Sequence, residues 1–300
     1  MVADGIVCHC PICEGKSEVY YCSGQHQMFK CKDCETAFLY PMPSAEFLDK
    51  FYAQFHKSFE TGGGYELFEA ASSRSFNRKI KIIKQRVKSS GEKIRLLDVG
   101  CGKGYFVEKC VEAGMDAQGI DLSSTAIEFA RNAGRPCNRG RVEDIDSKKH
   151  QFDVVTFWAT IEHLPDPLSA LIKIRELLTP GGALFFDTGI GSDWLDNLLP
   201  GVVQWYDPPQ HLFVFSPEGV RVILRKADFE VKSIDLNFES SNLRKVLKSI
   251  RGLFFGTVVR SATCLARVRQ SPTLFTRYAL GNLMLIEARK GVAPDEFENK

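Results

Sequence analysis

Nowhere do apolar residues run uninterrupted for the ~18 positions a membrane span requires, so an integral membrane protein is not expected. Charge of one sign is equally scarce. The 39 Lys and Arg against 37 Asp and Glu leave a net +2, too little to signal a nucleic-acid partner by itself. The chain has no internal repeat and no low-complexity tract, which argues against a fibrous or repetitive architecture. The opening residues, Met1-Val2-Ala3-Asp4-Gly5, lack the basic and apolar regions of a secretory signal, and a cytoplasmic protein is expected. What remains is ordinary globular composition, 44% hydrophobic and 25% charged. Three hundred residues exceed a typical domain of ~100–200, so one sizeable α/β unit plus something smaller is expected.

Six of the ten cysteines fall within the first 34 residues. Without an export signal, such crowding points to metal binding rather than a disulfide framework. Cys10-Pro11-Ile12-Cys13 and Cys31-Lys32-Asp33-Cys34 are two C-x-x-C pairs separated by 17 residues. Each pair aims two thiolates at one point, and two pairs complete a tetrahedral S₄ shell suited to Zn²⁺. The segments Glu18–Tyr21 and Gln27–Lys30 read as hairpin strands between the pairs. A zinc ribbon over 1–41 is therefore expected, with Cys10, Cys13, Cys31 and Cys34 as ligands of a structural metal. Reduced structural cysteines and a redox C-x-x-C are the alternatives. Cys8, His9, Cys22 and His26 are read as bystanders, and the scattered Cys101, Cys110, Cys137 and Cys264 as small buried residues.

Pro41–Ser44 reads as a linker, with Ser44 capping a helix that carries Phe47, Leu48, Phe51, Tyr52 and Phe55. After the Gly62-Gly63-Gly64 break, an amphipathic helix with Ile80, Ile82, Ile83 and Val87 is predicted to about Ser89. From residue 93 strands and helices alternate. Strands are expected at 94–99, 117–121, 152–158, 183–188, 229–236 and 282–288; helices are expected at 105–113, after Ser123, from Pro167 to Leu178, and near 217–227. Such alternation specifies an α/β fold, a doubly wound, Rossmann-like sheet with helices on both faces.

The loop Asp98-Val99-Gly100-Cys101-Gly102-Lys103-Gly104-Tyr105 joins the first strand of this region to its first helix, and its glycines let backbone approach a ligand. The dinucleotide pattern G-x-G-x-x-G wants glycine or alanine where Tyr105 stands. Asp98 would repel a phosphate but suits a cationic ligand. Asp121 ends the second strand, where an acid can grip both ribose hydroxyls.

Asp98–Gly104 resembles the first motif of class I S-adenosylmethionine-dependent methyltransferases. Gly119-Ile120-Asp121-Leu122-Ser123, Phe152-Asp153-Val154-Val155 and Leu177-Leu178-Thr179-Pro180-Gly181-Gly182 agree with it in order and spacing. The chain is also similar to a bacterial subgroup of that superfamily with an N-terminal zinc ribbon. Shared features are Cys31–Cys34 followed by Phe38–Pro43, and the segment Ile161-Glu162-His163-Leu164-Pro165-Asp166-Pro167. The resemblance implies a seven-stranded sheet and S-adenosylmethionine as cofactor. It implies that Gly100, Gly102 and Gly104 meet the methionine and ribose portions, and that Asp98 helps hold the amino group. Asp121 would take the ribose hydroxyls and Leu122 would pack on the adenine. Val142 and Glu143 would contact the adenine ring and its amine, while Trp158 and Ala159 would line the methionine side. The division expected is a ribbon at 1–41, a helical connector or lid at 42–92, a methyltransferase domain at 93–290 with a basic helical insert at 241–281, and a tail at 291–300.

Displacement at a sulfonium needs alignment, desolvation and, for a hydroxyl nucleophile, a base. His211, in Trp205–Phe213, is the candidate base; the alternative is a histidine that only hydrogen-bonds its own loop. His163 is read as structural. Residues 241–290 hold ten Lys/Arg and a single acid, Glu287. Within 243–258, Leu243, Val246, Leu247, Ile250, Phe254 and Val258 recur at helical spacing, which suits a lid packed on the sheet or a helix lying on an anionic membrane. The expected activity is methyl transfer to a small-molecule, sugar or lipid-linked glycan acceptor, at oxygen. The competing readings are an RNA methyltransferase using ribbon and insert for binding, a non-catalytic zinc-binding adaptor, and, least favoured because of Tyr105, a nicotinamide oxidoreductase. Nucleic acid is disfavoured because the ribbon is neither notably basic nor rich in stacking aromatics.

Overall fold

The computed structural model describes residues 8–48, 50–52, 64–191, 205–236 and 283–291, with side chains of the helix beginning at Gly64 described from residue 75. The basic insert at 241–281, the amphipathic stretch 243–258 and residues 292–300 of the tail lie outside the described residues. The described strands are β1 (Cys8–His9), β2 (Lys16–Ser23), β3 (His26–Cys31), β4 (Ala37–Leu39), β5 (Arg95–Val99), β6 (Asp116–Asp121), β7 (Cys137–Arg139), β8 (Phe152–Trp158), β9 (Leu178–Gly189), β10 (Phe213–Val214), β11 (Phe229–Asp235) and β12 (Leu283–Lys290). The helices are α1 (Gly64–Arg86), α2 (Tyr105–Glu112), α3 (Ser124–Asn132), α4 (Pro167–Leu177) and α5 (Pro217–Lys226). Two compact units result. The described residues of one fall within 1–41, 188–222 and 234–285; those of the other fall within 42–187, 223–233 and 286–300.

In the first unit, the strand order is β1-β2-β3-β4-β10. Alternation places Phe29 opposite Phe38, and Phe38 opposite Phe213. Met28, Phe29, Phe38, Leu39, Phe213 and Phe215 are buried and form its core. The hairpin extends beyond Glu18–Tyr21 and Gln27–Lys30 at both ends, and β2 carries an irregularity between Val19 and Tyr21. The small sheet also draws its fifth strand, β10, from a segment expected within the methyltransferase domain. Ser216 fixes this junction: its hydroxyl donates to the Cys34 carbonyl and accepts from Gly219 N–H at 2.8 Å.

The second unit carries the seven-stranded sheet, ordered β11-β12-β9-β8-β5-β6-β7. Parallel pairing joins β5 to β6 and β8, β6 to β7, and β8 to β9. Chain order therefore reverses between β5 and β8, and in such sheets ligands bind beyond the carboxyl ends at that crevice. Capping follows the sequence reading. Ser44 accepts from Phe47 N–H at 3.2 Å, Ser123 from Ala126 N–H at 3.2 Å, and Asp166 from Ser169 N–H at 3.1 Å, ahead of Pro167. Ile80 and Ile83 of α1, with Val87 just past its end, pack with Leu96, Phe106, Val107, Ile127 and Phe185 in one buried cluster. One segment differs from expectation. Thr179–Gly182 does not precede the strand but interrupts it: Phe152 pairs with Leu178, and Val154 already pairs with Ala183. The extra residues leave the ladder where Gly181 adopts φ +72°.

Candidate functional site

The glycine loop leaves β5 at Gly100 and is tied to β6. Gly100 and Cys101 N–H both donate to the Ile120 carbonyl, at 2.9 and 3.0 Å. Gly100 has φ +73°, and a Cβ there would lie 2.5 Å from Thr160 Oγ1, so only glycine fits without strain. Gly102 has φ +52°, and its absent Cβ would meet no atom within 4 Å. The loop thus presents bare backbone at that point. Asp121 holds it there: one carboxylate oxygen accepts from Gly102 N–H at 2.9 Å and the other from Ser123 N–H at 2.8 Å. An ionised carboxylate has about four lone-pair sites, so these two bonds leave capacity for ribose hydroxyls. Leu122 beside it is 47% exposed. Val142 and Glu143 share the 3₁₀ turn 142–144, Val142 buried and Glu143 exposed.

Asp98 lies deeper. It is buried and accepts from Thr156 Oγ1 at 2.7 Å. Burial pushes its carboxyl up to about 7, against the Thr156 hydrogen bond and the Lys79 charge, which both pull it down. At the end of β8, Trp158 packs edge-on against Phe106 with centroids 5.2 Å apart. Ala159 follows with φ +47°, an uncommon backbone for a residue with a Cβ. Its N–H donates to Asp187 Oδ1 at 2.8 Å, while Asp187 Oδ2 pairs with Lys79 Nζ at 2.6 Å. Both side chains of that pair are 5% exposed, and the Lys79 ammonium stands 4.0 Å from the centre of the Trp158 ring. Asp98, Gly100, Gly102, Gly104, Asp121, Leu122, Val142, Glu143, Trp158 and Ala159 all belong to the second unit.

His211 belongs to the first unit. Its Nδ1 lies 2.8 Å from the Trp205 carbonyl, its backbone N–H donates to the Asp207 carbonyl at 3.0 Å, and its ring lies beside Trp205 with centroids 6.1 Å apart. The carbonyl can only accept, so Nδ1 carries a proton in this contact. In the same unit the four cysteine sulfurs of the ribbon converge, all within 4.8 Å of one another. Cys10 and Cys34 sulfurs are 3.7 Å apart and those of Cys13 and Cys31 3.3 Å. Tetrahedral zinc with bonds of ~2.3 Å would set them about 3.8 Å apart. Ile12 N–H donates to Cys10 and Asp33 N–H to Cys31, both at 3.4 Å, so each knuckle turn aims a backbone donor at a candidate ligand sulfur. The donor set fits Zn²⁺. The hydrogen bond from Cys10 is the largest cause holding the Cys34 thiol down to about 5, while Cys10 itself is pushed up.

A family model for a methyltransferase domain matches residues 68–234. The chain belongs to this methyltransferase family. It is 34% identical over 157 residues to a ubiquinone biosynthesis O-methyltransferase of Nitrosospira multiformis, covering 46% of this chain and 64% of that relative. It is 33% identical over 171 residues to the enzyme of the same name from Methylococcus capsulatus, covering 51% of this chain and 70% of the relative. For the Coxiella burnetii relative the match covers 58% of its length at 30% identity. Among solved structures, a SAM-dependent methyltransferase of Thermotoga maritima, named a possible histamine N-methyltransferase, superposes with a TM-score of 0.50 at 19% identity, covering 78% of this chain and 98% of that one. That likeness concerns the fold.

Two residues of the methyltransferase domain escaped the sequence reading. Asp187 interrupts the apolar run Ala183–Thr188, and a lone acid in a buried strand is a signal in itself. Lys79 carries none, because a lysine in an amphipathic helix reads as solvated until the packing shows it buried. Among the described residues, no helix is long and apolar enough to cross a membrane.

Proposed function

We propose that this protein transfers the methyl group of S-adenosylmethionine to an oxygen of a small hydroxylated acceptor. The observation that carries the reading is the hold of Asp121 on the glycine loop through Gly102, with the buried carboxyl of Asp98 beneath it. S-adenosylmethionine, when bound, supplies a methyl group on a sulfonium open to in-line displacement. The residues of the chain do the rest. Asp121 takes the ribose hydroxyls and Leu122 and Val142 flank the adenine, with Glu143 at its amine. Asp98 holds the ammonium, and Trp158 and Ala159 line the methionine end. A hydroxyl acceptor needs a base, and His211 is the candidate the sequence offers for it. Oxygen as the acceptor atom is supported by the names of the curated relatives, which place O-methylation in ubiquinone biosynthesis. Sugars and lipid-linked glycans remain in the proposed class because they too present hydroxyls. The zinc held by Cys10, Cys13, Cys31 and Cys34 is structural, since four thiolates leave no open position.

Calorimetric titration with S-adenosylmethionine and its demethylated product, followed by transfer of labelled methyl to phenol, sugar and lipid-linked fractions, tests the reading. Tight NAD binding with no heat from either nucleoside refutes it. Asp121→Ala is expected to weaken cofactor binding about 10- to 100-fold, the loss of one to two charge-assisted hydrogen bonds; calorimetry measures it. Asp98 gives a pH dependence whose sign follows from its shift. The folded value lies above the ordinary carboxylate value, so this carboxyl contributes stability that is complete below about pH 4 and lost as pH rises through about 7. A cationic ligand favours the opposite form. Affinity should therefore fall as pH drops below about 7, and binding near neutrality should release a proton. Titration in two buffers of different ionisation enthalpy detects that proton, and Asp98→Asn should abolish its release. Equal heats in both buffers would contradict the role given to Asp98.

A further inference from the structure

Two cysteines scattered in the sequence are brought near one another inside the methyltransferase domain. Cys101 lies in the glycine loop between Gly100 and Gly102, and Cys137 opens β7. Each thiol acts on the other's titration, raising that of Cys101 and lowering that of Cys137. Two glycines make the approach possible. A Cβ on Gly119 would fall 2.6 Å from the Cys101 sulfur, and a Cβ on Gly104 would fall 2.6 Å from the Cys137 sulfur. Each sulfur thus occupies the space a neighbouring side chain would take. Gly119 and Cys137 are also register partners on adjacent parallel strands, so their Cβ positions share one face of the sheet. The Cys101 sulfur, filling the Gly119 space, therefore lies on the same face of the sheet, and at the same level, as the Cys137 side chain. Cys101 is partly exposed, which gives a small oxidant a way in, whereas Cys137 is buried.

We infer that Cys101 and Cys137 form a reversible disulfide site within the cofactor loop, with a peroxide as its oxidant. The partly exposed Cys101 sulfur displaces hydroxide from the peroxide and becomes a sulfenic acid, its thiol proton leaving with that hydroxide as water. The Cys137 sulfur then attacks the sulfenic sulfur, the S–S bond forms, and a second water departs with the remaining thiol proton. Two thiols lose two electrons and two protons, and one peroxide becomes two waters. Before oxidation the Cys101 thiol is the largest cause that lowers Cys137, while the same pairing raises Cys101; once Cys101 is a sulfenic acid, the Arg135 guanidinium still favours the Cys137 thiolate for the second step. Closure draws the loop toward β7 and away from the backbone arrangement in which Gly102 N–H reaches Asp121. The binding consequence rests on the cofactor reading above; formation of the bond does not.

Hydrogen peroxide treatment of the full chain, peptide mapping without reduction, and cofactor titration before and after dithiothreitol separate the two. The expected result is a Cys101–Cys137 cross-linked peptide, two hydrogens lighter than its parts, with at least a tenfold loss of S-adenosylmethionine affinity that thiol restores. The Cys137→Ala variant should lack the cross-link and stop at over-oxidised Cys101. Both thiols remaining free, or pairing only with other cysteines, would overturn the site. A cross-link that leaves affinity unchanged would overturn its effect on the loop. If the reduced protein binds no nucleoside at all, the cofactor reading fails while the peptide map still decides whether the pair closes.

Discussion

Removal of zinc by a strong chelator is expected to unfold the N-terminal five-stranded sheet, and Cys31→Ser is expected to do the same without chelator. The size of the effect follows from charge and reach. Four sulfurs within 4.8 Å of one another repel when deprotonated, and a dication in their midst turns that repulsion into the attraction that closes both turns. Structural zinc in small modules is worth about 10–16 kcal/mol near neutral pH, more than a sheet with strands of two to eight residues can supply from its own core. Unfolding should also detach β10 from β4 and release Ser216 from the Cys34 carbonyl. Elemental analysis should find one zinc per chain. A melting curve with and without chelator reads the rest. Protein isolated without zinc that melts at the same temperature after chelation would remove the metal from the account.

Lys79→Met should be the next most damaging change. It leaves the Asp187 carboxylate buried with no counter-charge, and breaking a buried pair from one side costs about 3–5 kcal/mol. Asp98 loses a nearby positive charge at the same time. Adding Asp187→Asn should recover more than half of the loss, because the amide removes the orphaned charge and still offers an oxygen to Ala159 N–H. Chemical denaturation of the two single variants and the double variant closes the cycle. Simple additivity of the two losses would show that the pair does not act as a unit.

Much of the site is legible from sequence because its signals are local. The two C-x-x-C turns, the glycine loop after a buried strand, Asp121 at the next strand end, and the caps Ser44, Ser123 and Asp166 each declare themselves within a few residues. The short strands β1, β4, β7 and β10 do not, since two or three residues are too few to show alternation. The interruption at Thr179–Gly182 reads from sequence as an ordinary turn; only pairing with β8 makes it a break inside a strand.

The pattern of residues by itself determined the doubly wound architecture, the pairing of the four C-x-x-C cysteines and the position of the glycine loop. Periodicity, capping and glycine placement act over one turn or one strand, where the chain carries the whole cause. Tertiary structure alone decided that Lys79 is a buried partner of Asp187, that the Cys101 sulfur packs on Gly119 beside the strand carrying Cys137, and that the small sheet takes its last strand from residues 213–214. These contacts join segments distant in the chain, and the burial that gives each its energy exists only once both segments have folded.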